Sequence, residues 1–327
     1  METSNKNNLP PAPPGVIQAI ISGFNAVANR AVVLLIPIVF DLFLWLGPRF
    51  SIYSLVQPFL NELERMPEPS QGFFENIPLA YEFFEGLNAF AALRTFPLGV
   101  FSLMSSSTAL DSPFGQRQAL EADGLLALLA FVLVLTVLGW LLGGLYFYLV
   151  AKVVSGQQEN PPMLARALSQ GMLLSGFWSV LWIVLSVPVF IFMGVLMLIS
   201  PALMAVLYFL IVLTAIWLAV PVFFSVHGIF LQSDNLFGSI FKSFRMARYA
   251  LPSLGWFVIV AVVLSQGLGF LWRIAPADSW ITLFGIFGNA FVSTALLAAS
   301  FIYYRDLNNW VDAALAWMKA RTGSIQA

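Results

Sequence analysis

An aspartate stands in the middle of an apolar run, "IPIVFDLFLWLGPRF" (Ile36–Phe50). Asp41 is the one charged residue that falls inside an apolar window of spanning length. A charge at that depth costs at least about 2.5 kcal/mol on insertion scales, so the group has to be protonated, paired or open to a wet cavity. Two chemistries suit it. The carboxyl can carry a proton or bind a cation in a transporter. It can also act as a polar clasp, bonded to a Ser, Tyr or backbone group on a neighbouring span. Pro37, one turn earlier, removes a backbone donor and loosens the helix there.

Other reactive groups are sparse. The single imidazole is His227 in "FFSVHGIF", with no acid beside it in sequence, and it reads as structural or interfacial rather than catalytic. There is no cysteine, hence no thiolate, disulfide framework or Cys-ligated metal. One histidine cannot make a His-rich metal site, and no glycine loop of the phosphate-binding kind is present. The expectation is therefore a non-enzyme, with no catalytic residues, no metal and no cofactor. "GWLLG" (Gly139–Gly143) and "GIFG" (Gly285–Gly288) have the small-residue spacing that lets spans pack closely. "SIFKSFRMARYALPSLGW" sets Lys242, Arg245 and Arg248 three apart, with Phe237, Phe241 and Phe244 on the other side. Such a helix suits the anionic headgroups of the cytoplasmic leaflet. Topogenic charge alone explains the same pattern.

The elements that hold these residues follow from composition. Of 327 residues, 60% are hydrophobic and 9% charged, too few charges to solvate a globule. A net charge of −1 argues against nucleic acid as a partner. Uncharged windows at 124–151, 167–233, 249–272 and 279–304 hold five spans, since the second is long enough for two, divided at Pro201. Residues 31–48, with Asp41 inside, complete six. The sequence thus predicts an all-α integral membrane protein with six transmembrane helices. Ten Lys and Arg then fall on the inner side and five on the outer, four of those five in one long loop. This places both termini in the cytoplasm, in the cytoplasmic membrane. Trp45, Trp272 and Trp280 fall at outer span ends, as in an aromatic belt.

Residues 1–15 read as a disordered Pro-rich leader rather than a cleaved signal peptide. Residues 16–48 read as an interfacial helix plus span 1. Residues 49–123 form an acidic extracytoplasmic helical insertion, with nine acids against four arginines. In it, 51–66 and about 77–93 read as helices, and "TFPLGVFSLM" (Thr95–Met104) is too short to cross and lies in the interface or dips into the bundle. Spans 2–6 occupy 124–303, and 304–327 a cytoplasmic amphipathic helix and tail. Ser22, Ser169 and Ser243 lie at matching places in three stretches that each precede a span, 147 and 74 residues apart. That spacing fits three two-helix repeats, each opened by an interfacial amphipathic helix, with the insertion in the first. Any series of two-span hairpins gives a similar pattern.

"IFKSFRMARYALPSLGWFVIV" (Ile240–Val260), with a last span ending "LLAASFIYYRDLNNW", resembles a group of bacterial six-span membrane proteins. The group includes the membrane domain fused to some glycerophosphodiester phosphodiesterases. In it a basic amphipathic helix precedes the fifth span and an aromatic-acidic ending follows the sixth. Here the ending maps to Tyr304, Asp306 and Leu307. The resemblance covers about 160–310 and implies architecture, not an activity, since no phosphodiesterase domain is expected to follow. The functional expectation is a scaffold, assembly factor or accessory subunit. Its partners would be membrane lipids and another membrane or extracytoplasmic protein, met through 49–123. The alternative is a small-solute or proton-coupled transporter using Asp41.

Overall fold

The structure, a computed structural model, describes residues 12–65, 77–156 and 163–325, with side chains up to residue 319. Most of the Pro-rich leader, and the "MPEPSQG" break after residue 65, lie outside the described residues. The described chain runs α1 (Val16–Asn29), a 3-10 turn (Ala31–Leu34), α2 (Leu35–Leu46), β1 (Arg49–Ser51), α3 (Tyr53–Arg65) and α4 (Ile77–Gly86). Two further 3-10 turns follow, Ala89–Leu93 and Met104–Ser106, then β2 (Asp111–Ser112), β3 (Gly115–Gln116) and β4 (Ala119–Glu121). The remaining helices are α5 (Leu125–Ser155), α6 (Leu164–Ile199), α7 (Pro201–Gln232), α8 (Leu236–Trp272) and α9 (Thr282–Ile325).

Helices α5 to α9 are long and apolar enough to cross a membrane. The pair α1 plus Ala31–Leu46, broken near Arg30, makes a sixth span if counted as one. The chain is a helical, multi-pass membrane protein. Several boundaries depart from the sequence reading. The last span and the C-terminal helix are one continuous helix, α9, because nothing between Tyr304 and Lys319 breaks the backbone ladder. The second insertion helix stops at Gly86 instead of near Leu93, and Asn88 then caps a 3-10 turn by accepting from the Phe90 N–H at 3.2 Å. The insertion also contains two short strand pairs that apolar periodicity did not reveal: β1 with β4, parallel, and β2 with β3, antiparallel.

The three stretches proposed as repeat openings join their spans in three different ways. The chain leaves helical geometry at Arg30 (φ −140°, ψ 61°) after the first. The second runs unbroken into α6. The third is kinked at Ala250 (φ −127°, ψ 23°), two residues before Pro252, whose ring and missing N–H disturb the preceding turn.

The chain divides into two compact units, described separately. The clasp unit comprises 30–146 and 264–294. Its core holds Phe40, Leu44, Trp45, Leu98, Val100, Leu103, Ile286 and Ala290. The hairpin unit takes in 147–263, 295–327 and the chain up to Asn29. There α1 buries Val16, Ala19, Gly23 and Val27, one side of a helix. A Cβ on Gly23 would stand 2.5 Å from the Ala295 carbonyl oxygen and the Ala299 nitrogen, so glycine sets the approach of α1 to α9. Helices α6 and α7 form an antiparallel hairpin turned at Ser200, which is extended (φ −158°, ψ 108°). The Ser200 hydroxyl accepts from the Leu203 N–H at 3.4 Å, and Pro201 supplies the first helical position. The hairpin's arms carry outward apolar side chains such as Phe190, Leu198 and Phe209. These are faces for acyl chains; in water they would be an aggregation hazard.

Candidate functional site

The site is built on α2. Its residues Pro37, Ile38, Phe40, Asp41, Leu44 and Trp45 are buried. Asp41 is fully buried, and its carboxylate meets three donors. Oδ1 accepts from the Ser102 hydroxyl and from the Met104 N–H at 3.0 Å. Oδ2 accepts from the Leu103 N–H at 3.0 Å. The Ser102 oxygen in turn accepts from the Ser105 N–H at 2.9 Å. The N–H groups that open the turn Met104–Ser106 have no partner of their own behind them, as at any helix start. A carboxylate from α2 caps them, and bonds of this kind are stronger than neutral ones.

These bonds are of the clasp kind, but not to the partner expected from the sequence. The donors come from the 95–106 segment of the insertion, not from a neighbouring span. That segment dips inward, burying Leu98, Val100, Ser102, Leu103 and Met104. It lies against α5 at the two glycines of "GWLLG". A Cβ on Gly139 would meet the Leu93 carbonyl oxygen at 2.5 Å. One on Gly143 would meet the Gly99 nitrogen at 2.6 Å. Four residues apart, the two glycines share a face. They admit the backbone of the insertion, whereas the sequence reading gave them to span-on-span packing. Gly285 and Gly288 make room for Trp272: Cβ atoms there would lie 2.5 Å from its carbonyl oxygen and 2.7 Å from its ring.

One turn after Asp41, Trp45 donates its indole N–H to the Ala277 carbonyl at 2.6 Å and meets Trp280 edge to face at 5.7 Å. Trp45 is fully buried, so it is a packing residue and not part of an aromatic belt. Thus α2 holds the dipping segment through residue 41 and the loop before α9 through residue 45. Arg94 adds a tie, donating to the Ser105 hydroxyl at 3.0 Å. Phe50 stacks on Phe131 at 4.0 Å, and Phe90 meets both Phe43 (5.1 Å) and Phe131 (5.5 Å), which fixes the insertion's root.

The other sequence candidates lie in the hairpin unit. Lys242 pairs with Asp234 at 2.7 Å and donates to Gln232 at 2.9 Å. Arg245 pairs with Asp312 on α9 at 2.9 Å. Arg248 is exposed, its guanidinium 5.8 Å from the Tyr249 ring centre. Two of the three proposed headgroup cations thus have acidic partners within the chain. Tyr304 and Leu307 are fully buried, while Asp306 pairs with its neighbour Arg305 at 3.2 Å. Gly228 is where these groups meet: a Cβ there would lie 2.8 Å from both Asp234 Oδ2 and the Tyr304 hydroxyl. His227 is buried, with Nε2 2.8 Å from the Ser300 hydroxyl, Nδ1 3.2 Å from the Phe223 carbonyl and its ring 4.4 Å from that of Phe301. Both ring nitrogens have structural partners.

Sequence reasoning missed Ser102 and Asp234. A serine inside the apolar run "GVFSLM", followed three residues later by Ser105, is the available signal for the first. For the second it is an acid just past a helix end with a lysine eight residues on. Comparison with family models, with curated proteins and with solved structures finds no match to this chain.

Proposed function

We propose that this chain is a non-enzymatic membrane protein, a scaffold, assembly factor or accessory subunit of the cytoplasmic membrane, with both termini inside. One observation carries the reading. The acid inside a span, which a transporter would need for proton or cation exchange, is occupied at both oxygens by donors of the same chain. A coupling carboxyl has to trade its partner for solute or water during each cycle. Here the trade would release the buried Leu103 and Met104 N–H groups into an apolar surround, each at roughly 1–3 kcal/mol. Asp41 serves instead to hold the 95–106 segment of the insertion against α2. A held segment beside an acidic insertion suits a docking partner. The inner bias of Lys and Arg supports the orientation.

The test is purification from the native membrane in mild detergent, followed by mass spectrometry. A stoichiometric protein partner, lost when the insertion is altered, is the expected result. A partner-free protein that drives solute flux in proteoliposomes, with flux abolished by Asp41→Asn in a normally folded chain, would establish the transporter instead.

A further inference from the structure

Four amides fall in the apolar windows of the long helices: Gln170, Gln232, Gln266 and Asn289. Gln170 accepts from the Leu236 N–H at 3.0 Å, and Gln232, at the end of α7, accepts from Lys242 at 2.9 Å. Asn289 is half-buried on α9. Gln266 on α8 differs. It is exposed, and among the described residues it has no hydrogen-bond partner. It lies six residues before α8 ends at Trp272, about 9 Å along the axis and farther from the helix end than its side chain extends. Gly267 and Phe270 share its face and are exposed too, Phe270 at 73%. A Cβ on Gly267 would meet nothing within 4 Å. Acyl chains offer an amide neither donor nor acceptor, so an unbonded amide in hydrocarbon carries its full desolvation cost. A second span that bonds the amide removes the cost, and a small residue beside it lets the two backbones approach.

We propose that α8 pairs with α8 of a second copy of this chain, the two Gln266 amides bonded to each other and Gly267 at the closest approach. The chemistry of the side chain selects a second copy. A carboxamide carries both donor and acceptor, so two identical amides face to face exchange two N–H···O bonds. All copies insert with the same orientation, so identical residues lie at the same depth. A two-fold axis along the membrane normal then brings each Gln266 to its counterpart, the self-complementary contact of a symmetric dimer. A span of any other protein would have to carry its own matching polar group at that depth. The inference stands apart from the scaffold reading, since a transporter and an accessory subunit can both pair with themselves.

The experiment uses the purified full chain with one introduced thiol, Ser106→Cys, half of it labelled with a donor fluorophore and half with an acceptor. The two are mixed in phosphatidylcholine vesicles over a series of protein-to-lipid ratios. Energy transfer should rise with that ratio, level off, and fall when unlabelled parent is added. Gln266→Leu should move the midpoint about three- to tenfold higher. Gln266→Asn, which keeps a carboxamide, should move it less. Gly267→Leu has open space around it in its own chain, so an equal or larger shift reports the second copy. Gly194→Leu, equally open but on α6, should leave the midpoint unchanged. In native membranes Gln266→Cys gives one thiol per chain. Oxidation with copper phenanthroline should join position 266 to itself, since a disulfide needs the two backbones within about 7 Å. Transfer no greater than random proximity produces would overturn the proposal. So would a midpoint unmoved by both Gln266→Leu and Gly267→Leu, a shift in Gly194→Leu as large as in Gly267→Leu, or a thiol at 266 joined only to a different protein.

Discussion

Asp41→Ala should release the dipping segment while leaving the spans in place. The substitution removes the acceptor for the Leu103 and Met104 N–H groups, both buried. Each orphaned buried donor costs roughly 1–3 kcal/mol, so the segment's closed state loses about 2–6 kcal/mol. The Ser102 hydroxyl can turn to another acceptor and adds little. Asp41→Asn should cost about half as much. Its oxygen can replace Oδ1 and keep Ser102 and Met104, but its NH2 then points at the Leu103 N–H, donor against donor. That leaves one orphan, or roughly 1–3 kcal/mol. The order parent, Asn, Ala is thus a consequence of which oxygen meets which donor.

The chain lacks cysteine, so a single introduced thiol reports on one place. Val100 is 1% exposed and lies in the dipping segment. In a Val100→Cys background, thiol labelling proceeds through opening of the segment, and its rate follows the open population. At 1.4 kcal/mol per factor of ten, Asp41→Ala should raise that rate by about 30-fold or more, and Asp41→Asn by about fivefold or more. Ser106→Cys, exposed in the same segment, sets the maximal rate. Labelling at position 100 within about twofold of the parent in both Asp41 variants would refute the reasoning. The segment would then be held by its glycine seat alone, and Asp41 would return as a candidate for exchange with solute.

Four further results are expected. Gly143→Ala should destabilise by about 1–3 kcal/mol, because its methyl meets the Gly99 backbone, which cannot give way as a flexible side chain would. Gly194→Ala on α6, where a Cβ meets nothing within 4 Å, should be neutral or stabilise by up to about 1 kcal/mol; melting of the two variants in the same detergent checks both. Trp45→Phe should cost about 0.5–1.5 kcal/mol for the lost bond to the Ala277 carbonyl, seen as a lower melting temperature, and shift tryptophan fluorescence to longer wavelength by deleting a buried indole. Asp312→Asn, which breaks a pair whose acid is 62% exposed, should change stability by less than about 1 kcal/mol, an effect that fades in a salt titration of the melt.

What could be read in the sequence follows from the range of the forces involved. Spans are a local property: about 20 apolar residues announce themselves, and Ser200–Pro201 marks the hairpin turn by its own chemistry. That Thr95–Met104 lies in the interface or dips inward was legible for the same reason, being apolar yet too short to cross; which of the two was not. Its partners were not. Nothing local to Asp41 says that Ser102, 61 residues away, is its donor. Gly139 and Gly143 were read correctly as contact points but assigned to the wrong neighbour, since spacing gives a face and not what covers it. The same holds for Lys242 and Arg245. Three-residue spacing placed them on a common side, and only the fold shows Asp234 and Asp312 meeting them there. The joined α9 was missed because a cluster of charges at 305–312 looks like a boundary, although charge alone does not interrupt a helix.

The joint role of Asp41 and the two glycines follows from what irregular backbone needs beside membrane spans. A segment without helical or sheet bonds is tolerated there only where protein supplies its hydrogen bonds. Glycine at 139 and 143 lets the segment approach α5 closely enough to exclude competing groups. Close approach alone would leave the Leu103 and Met104 donors unpaired. A neutral side chain on α2 offers one acceptor oxygen, whereas a carboxylate offers two, and the segment presents donors to both. The acid is thus the smallest side chain that satisfies all three donors from one helix position. Its cost at that depth is offset by bonds of the charged kind, each worth roughly 1.5–3 kcal/mol. This predicts a specific coupling. In the double variant Asp41→Ala/Ser102→Ala the penalty should fall short of the sum of the singles by about 1 kcal/mol or more, while Asp41→Ala with Gly194→Ala should be additive.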